Sequence, residues 1–484
     1  MNKTQILSLV GIILFLNGCA MIPKYTRPES PIPTVLPSEG AYMDGRSPEE
    51  VRSVTGLRWH EIFPDKNLQT VIEISLANNR DLRIAVLNVE RARSLYGVKK
   101  AELFPAVSVS GAVSKSRIPA DLSTTGEALI YEEDSVDLGI TSWEIDLFGR
   151  IRSLKDQALQ EYLGSEQAQR GAQTALISEV ARVYLTLAAD LENLKLARSA
   201  LETQRSVYGL IRQQYDKGIA NEADLRRSQT QVDAANRDIA FYTQLVTQDQ
   251  NALNLLAGCS VPEDLLPSGL TSVSPLKDIS PGLSSEVLLR RPDIMAAEHQ
   301  LKVAYALIGV ARAAFFPRIS LTTVTGTASY ELSSLFSPGA KAWGLASQAA
   351  MPIFDTRTFA AYRISEATRK ISIAQYEKTI QTAFREVSDA LIAREMVNKQ
   401  VAAQESIVNS AQKIYELSDQ RYTQGIDSYL SVLDAQRSLY AAQQALTSLR
   451  LAKLVNQVRL YAVLGGDAES QDTASNTSRQ VHRK

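Results

Sequence analysis

Hydrophobic positions change their period along this chain, and each change predicts a change of element. From Asn67 to about Glu102, Val71, Ile74, Leu82, Val86, Val89 and Leu95 recur at helical spacing, with Asn78 and Asn79 marking a break between two helices. After Phe104 and Pro105 the period drops to two. Val107, Val109 and Val113 alternate with Ser108, Ser110 and Ser114, which predicts a strand over about 104–116 with one apolar and one hydroxyl-lined face. A second alternating run over about 134–147 has Val136, Leu138 and Ile140 in one phase and Trp143, Ile145 and Leu147 in the other. The slip at Thr141 and Ser142 predicts a bulge and puts Glu144 and Asp146 opposite Trp143. The loop between the runs is polar and roughly fifteen residues long, more than an ordinary hairpin needs. From Arg150 to about Tyr215 there is no proline, and Leu176, Val180, Val183, Leu187, Leu191 and Leu194 step by three and four. A helix of some 65 residues at about 1.5 Å each spans about 100 Å. It turns at Lys217 and Gly218, where glycine permits a left-handed C-cap, and Asn221 is placed to cap a returning helix that ends near Gly258.

The whole pattern then recurs. Asp81, Gly97, Phe104 and Pro105 fall on Asp293, Gly309, Phe316 and Pro317 at an offset of 212. QYDKGI at 214–219 matches RYTQGI at 421–426 at an offset of 207, so the second copy carries a five-residue deletion in its middle, and LNLLAG at 253–258 resembles YAVLGG at 461–466 at an offset of 208. Ile319 and Leu321 alternate with Ser320 and Thr322, while Trp343, Leu345, Ala349, Met351 and Ile353 share a face, predicting strands over about 316–328 and 341–354. A second long helix from about Thr358 to Tyr422 turns at Gln424 and Gly425, with Asp427 as the expected N-cap of the return. The expected fold is α+β: two pseudo-repeats, 67–258 and 283–466, each a strand pair plus a long antiparallel coiled-coil hairpin, with turns near 216–221 and 423–427. Residues 259–282 are the expected linker, and the polar 467–484 tail is expected to be disordered.

The ends and the composition narrow the setting. Lys3 and an apolar run from Ile6 to Leu16 read as a secretory signal over residues 1–18, too short to span as a mature helix. Gly18 before Cys19 looks like a lipobox, which implies cleavage before Cys19 and acylation of its thiol. Residues 19–66 hold Pro23, Pro28, Pro31, Pro33 and Pro37 and are expected to run extended. Cys259 is the other cysteine, so no intramolecular disulfide remains once Cys19 carries lipid. A net charge of -1, without a basic block, argues against nucleic acid as a partner. After residue 18 no run approaches the roughly 18 apolar residues of a transmembrane helix, so any membrane crossing is by strands. Four strands cannot close a barrel, and an open sheet edge cannot sit in lipid. A homotrimer contributing four strands per chain makes one twelve-stranded barrel, within the known range, continued by the coiled coils as a helical tunnel.

Several motifs carry a resemblance over nearly the whole mature chain, from about Trp59 to Gly466: WHEIFPD, LANNRDL, LLRRPDI, the repeated Phe-Pro before a strand, and above all RYTQGIDSYLSVLDAQRSLYAAQ. The chain resembles the TolC-type outer membrane factor family, and within it the OprM- and NodT-like lipoprotein branch. The resemblance implies a homotrimeric duct with an outer membrane barrel and a periplasmic tunnel. Such a duct docks on a periplasmic adaptor protein and an inner membrane transporter and exports drugs, solvents or other small molecules. It implies location in the Gram-negative outer membrane, with Ala20 after Cys19 consistent with that sorting and an N-acyl diacylglycerol on Cys19 in place of any cofactor. It also implies a constriction at the periplasmic mouth formed by Leu430, Asp434 and Arg437. These lie at i, i+4 and i+7 and share one helix face. Tyr422 and Tyr429 are candidates for bonds tying hairpins together, and the tips around Gly218, Asn221, Gly425 and Asp427 are the expected adaptor contact. In the first copy Arg227 stands where the second has Asp434.

Other residues have plainer readings. Spacing alone makes Asp434 and Arg437 an ordinary exposed pair worth a few tenths of a kcal/mol. His60, His299 and His482 are too scattered for a metal site. Glu144 and Asp146 read as channel lining, and Val107, Val109 and Val113 as lipid-facing. Trp143 and Trp343 fit an interfacial belt or rim packing equally well. No GxSxG, HExxH, P-loop or CxxC motif supports an enzyme. Two alternatives to efflux stay open: an exit duct for type I protein secretion, and a lipid-anchored periplasmic coiled-coil scaffold.

Overall fold

A computed structural model describes residues 21–33, 58–274 and 285–466. The expectations for the leader, for Cys19 and for the 467–484 tail lie outside them. After a single helical turn, Trp59–Ile62, come α1 (Lys66–Asn78) and α2 (Arg80–Ala101). Asp65 starts α1 by accepting from the Leu68 N–H at 2.9 Å. Asn79 makes the break between the two helices. Its backbone is extended, its side-chain oxygen accepts from the Leu82 N–H at 2.9 Å, and its amide nitrogen donates to the Leu256 carbonyl at 2.9 Å.

Strands β1 (Val107–Ile118) and β2 (Leu129–Ile145) follow, then the helices α3 (Arg150–Asp216) and α4 (Glu222–Ala257). The second copy supplies α5 (Pro292–Ala313), β3 (Arg318–Ser329), β4 (Lys341–Ala350), α6 (Thr356–Thr423) and α7 (Tyr429–Val463). β2 begins at Leu129, so the loop after β1 is shorter than the alternation of residues 134–147 implies. β4 ends at Ala350, because Pro352 supplies no N–H to continue the ladder.

Contacts gather the chain into two parts, each drawn from both copies. The first takes residues 21–29, 88–166 and 296–376 and contains the sheet. Its order is β1-β2-β3-β4, antiparallel throughout, so the two copies join along β2 and β3 while β1 and β4 are edges. The β2–β3 register shifts between Ile140 and Trp143, and Ser142 sits there at φ 55°, a bulge where the alternation slips. Val107, Val109 and Val113 lie uncovered on their face. Trp143 is half-buried whereas Trp343 is 77% exposed. Glu144 and Asp146 do not line an open face. Arg150 holds Glu144 by two bonds of 2.7 Å, and Asp146 accepts from the Arg152 N–H at 2.9 Å, so both carboxylates fix the corner where β2 becomes α3.

The second part takes the described residues of 30–87, 167–295 and 377–466. Its core is the ladder on α3: Leu176, Val180, Val183, Leu187 and Leu194 are buried, as are Ile177, Tyr184 and Ala188 between them. Leu201 meets Val232 and Ala235 across the first hairpin, and Ala411 meets Leu439 and Ala442 across the second. Residues 259–274, expected as linker, are fastened rather than loose. Leu270 is buried and its N–H donates to Glu192 at 2.9 Å, while Tyr184 donates to the Leu265 carbonyl at 3.1 Å. Arg291 of the LLRRPDI motif is buried, gripping Asp293, Glu386 and the Val463 carbonyl at 2.7–3.0 Å. No helix among the described residues is long and apolar enough to cross a membrane.

Candidate functional site: the hairpin tips

Both tips close with the same backbone device. At the first, Gly218 takes φ 72°, its N–H bonds to the Tyr215 carbonyl, and the Ile219 N–H bonds to Gln214, each at 2.8 Å. At the second, Gly425 takes φ 75°, with the Gly425 and Ile426 N–H groups bonding to Tyr422 and Arg421, each at 2.9 Å. This is the Schellman closure, and it needs a residue that tolerates positive φ.

The side chains then diverge. Asn221 caps α4 by accepting from the Asp224 N–H at 2.9 Å. Asp427 does not cap α7; Ser428 holds that position, with no side-chain bond. Asp427 reaches back instead to Arg421 in the last turn of α6, with contacts of 2.6 and 3.1 Å. That pair keeps the Asp427 carboxyl below the usual carboxylate range. Arg421 was absent from the expected site residues, and its one legible signal is a position six residues before Asp427 across a short turn.

Beneath the second tip lies an apolar cluster. Tyr429, Val432 and Leu433 of α7 are buried with Ile211 of α3, and Val207, Ala220, Leu225, Tyr415 and Tyr422 pack around them. One small core thus joins both hairpins of the chain. The Tyr422 and Tyr429 rings sit 5.4 Å apart at 57°. Within the chain they hold the hairpins by packing rather than by hydrogen bonds, because the Tyr429 hydroxyl is buried without a partner. Burial pushes that hydroxyl's pKa up.

Because Tyr429, Val432 and Leu433 face inward, Leu430, Asp434 and Arg437 face outward, and all three are exposed. They share a stripe but make no bond to one another: among the described residues, Asp434 and Arg437 form no ion pair. The first copy does form its own, with Arg227 3.4 Å from Asp224. The stripe therefore presents a half-exposed leucine, an acid and a base, with both charges open to another partner.

The histidines take ordinary places. His60 stacks on Trp59 with ring centroids 3.5 Å apart, and His299 bonds Gln160 at 2.8 Å. His482 lies outside the described residues.

Comparison with known proteins gives one answer. The antibiotic efflux pump outer membrane protein ArpC of Pseudomonas putida is 43% identical over 99% of this chain and 98% of its own length. The toluene efflux pump outer membrane protein TtgC of Pseudomonas putida is equally similar, with the same coverage. Among solved structures, the open state of the Neisseria gonorrhoeae MtrE outer membrane channel is 35% identical and superposes with a TM-score of 0.82, covering 93% of this chain and 99% of that one. The outer membrane efflux protein family matches twice, over residues 71–259 and 283–466, and the chain belongs to that family.

Proposed function

We propose that this chain is the outer membrane exit duct of a tripartite efflux system. The observation that carries the reading is the sheet. Four antiparallel strands end in two unpaired edges, β1 and β4, with uncovered valines on β1 and an uncovered tryptophan on β4. Such a sheet is unsuited to lipid until its edges are paired. Three chains joined β1 to β4 make a twelve-stranded barrel, and the long hairpins form a helical tunnel in the periplasm. The leader over residues 1–18 is removed, and acylation of Cys19 adds a lipid anchor. The names of the relatives, which handle toluene and antibiotics, point to small, largely apolar cargo rather than to secreted protein. Selection of that cargo falls to the inner membrane transporter, since a passive duct needs no binding pocket.

In the assembled trimer the stripe of Leu430, Asp434 and Arg437 narrows the periplasmic mouth. Like charges brought together by symmetry repel, so each Asp434 takes a cation from a neighbouring chain, and Arg437, which has no partner among the described residues, is the nearest in kind. The tips at Gly218, Asn221, Gly425 and Asp427, with Ile219 and Ile426 exposed between them, form the surface for the periplasmic adaptor. Single-channel conductance in a planar bilayer tests both parts of this reading. Wild type is expected to conduct weakly and a Leu430→Ala, Asp434→Ala double variant severalfold more. Well-folded protein that conducts in neither form favours a lipid-anchored scaffold. Equal conductance in both removes the gate while keeping the duct.

A further inference from the structure

Asp190 of α3 and Asp249 of α4 face each other across the first hairpin. Each carboxyl is among the groups that act most strongly on the other. Among the described residues Asp249 Oδ2 is sealed from water and meets no donor. Two ionised carboxylates have no hydrogen to share, so the two bond only when one of them is protonated.

The groups around the pair do not replace that proton. Arg182, the cation acting on Asp249, already holds Glu179 at 2.6 and 2.8 Å. Tyr242 of α4 feels the Asp190 charge but makes no hydrogen bond to it; its oxygen accepts from Gln444 of α7 at 3.0 Å. Burial and the neighbouring Asp249 push Asp190 up to about 7, and Asp249 is raised as well, chiefly by burial. These values belong to the two groups together.

The second copy supplies an internal control. At the offset of 207 that aligns the two turns, Asp249 falls on Asn456 and Asp190 on Val397. Asn456 is buried and donates to the Ala390 carbonyl at 3.1 Å. A hairpin of this design therefore closes without any carboxyl at either position.

We propose that Asp190 and Asp249 form a proton-binding site in the first hairpin, holding one proton between them, and that losing it loosens α3 from α4 at this level. Between about pH 4 and about pH 7 the folded chain binds the proton and the unfolded chain does not, so the pair's contribution to stability falls as pH rises through that window. The site responds to acidity without help from any ligand, and it does not depend on the channel reading. Infrared spectroscopy of the full-length protein in detergent tests it through the C=O stretch of protonated carboxyls. Wild type should keep one such band at about pH 6, lose it through the neutral range, and lack it in both Asp249→Asn and Asp190→Asn. Absence of the band in wild type, or its survival in both variants, overturns the site. The melting temperature should fall more steeply from about pH 5 to about pH 8 in wild type than in Asp249→Asn. Parallel curves overturn the coupling of the proton to the hairpin.

Discussion

The two hairpins share one plan and differ in what fills it. Both close on a glycine at positive φ, and both return through a long helix that ends at a second glycine, Gly258 or Gly465. The first satisfies its polar groups at its own tip: Asn221 caps α4, Arg227 finds Asp224, and Arg226 finds Glu222. The second leaves Asp434 and Arg437 unpaired and packs Tyr429 into a core that it shares with Ile211 of the first. Higher in the hairpins the order reverses, because the first holds a carboxyl pair where the second has Val397 and Asn456. The lesson is that duplication preserves backbone devices and frees side chains to specialise, with the satisfied tip on one copy and the open one on the other.

Substitutions sharpen this comparison in graded steps. Tyr429→Ala removes the buried aromatic ring of the shared tip core and should cost about 3–4 kcal/mol of local stability, read by hydrogen exchange in the last turns of α3 and the first of α7. Tyr429→Phe removes only a hydroxyl that has no partner among the described residues, so it should cost nothing or stabilise. A large loss in Tyr429→Phe would place a hydrogen-bond partner on a neighbouring chain. Valine at Gly218 or Gly425 forces a β-branched residue into positive φ, about 1–2 kcal/mol at either turn. Unequal costs at the two turns would mean that the shared closure is not what holds both. Asn221→Ala should cost about 1 kcal/mol, whereas Ser428→Ala, lacking a cap bond, should stay within a few tenths. Equal losses would erase the difference in capping. Adding salt should weaken the exposed Arg421–Asp427 pair while leaving the Asn221 cap unaffected.

Periodicity made the architecture legible. Valine and serine in alternation located β1, the slip at Thr141 and Ser142 located the bulge, and the proline-free runs located α3 and α6. Glycines at 218 and 425 fixed the turns because one local backbone requirement decides them. What the sequence withheld is long-range or competitive. Asp427 has the right chemistry for an N-cap, but Arg421 offers it a charged partner, and a carboxylate bonded to a guanidinium outcompetes a single amide bond. Glu144 and Asp146 looked like lining because nothing in a strand pattern reveals that Arg150 and Arg152, one helical start later, turn back to meet them. Tyr422 and Tyr429 were legible as a pair, but their burial against Ile211 depends on a residue more than two hundred positions away. The carboxyl pair was hidden for the same reason, since Asp190 and Asp249 become neighbours only when the hairpin closes.

The join between β2 and β3 has a further consequence. It pairs a strand of the first copy with one of the second, and at its centre Gly139 and Gly326 leave no room for a Cβ against the facing backbone. Were the copies separate polypeptides, that pairing would be a collision between molecules, limited by their dilution. On one chain the second copy is held near the first by its tether, so the pairing does not depend on dilution. Ring closure then needs three encounters rather than six, and half of the joints between copies are made before any partner arrives.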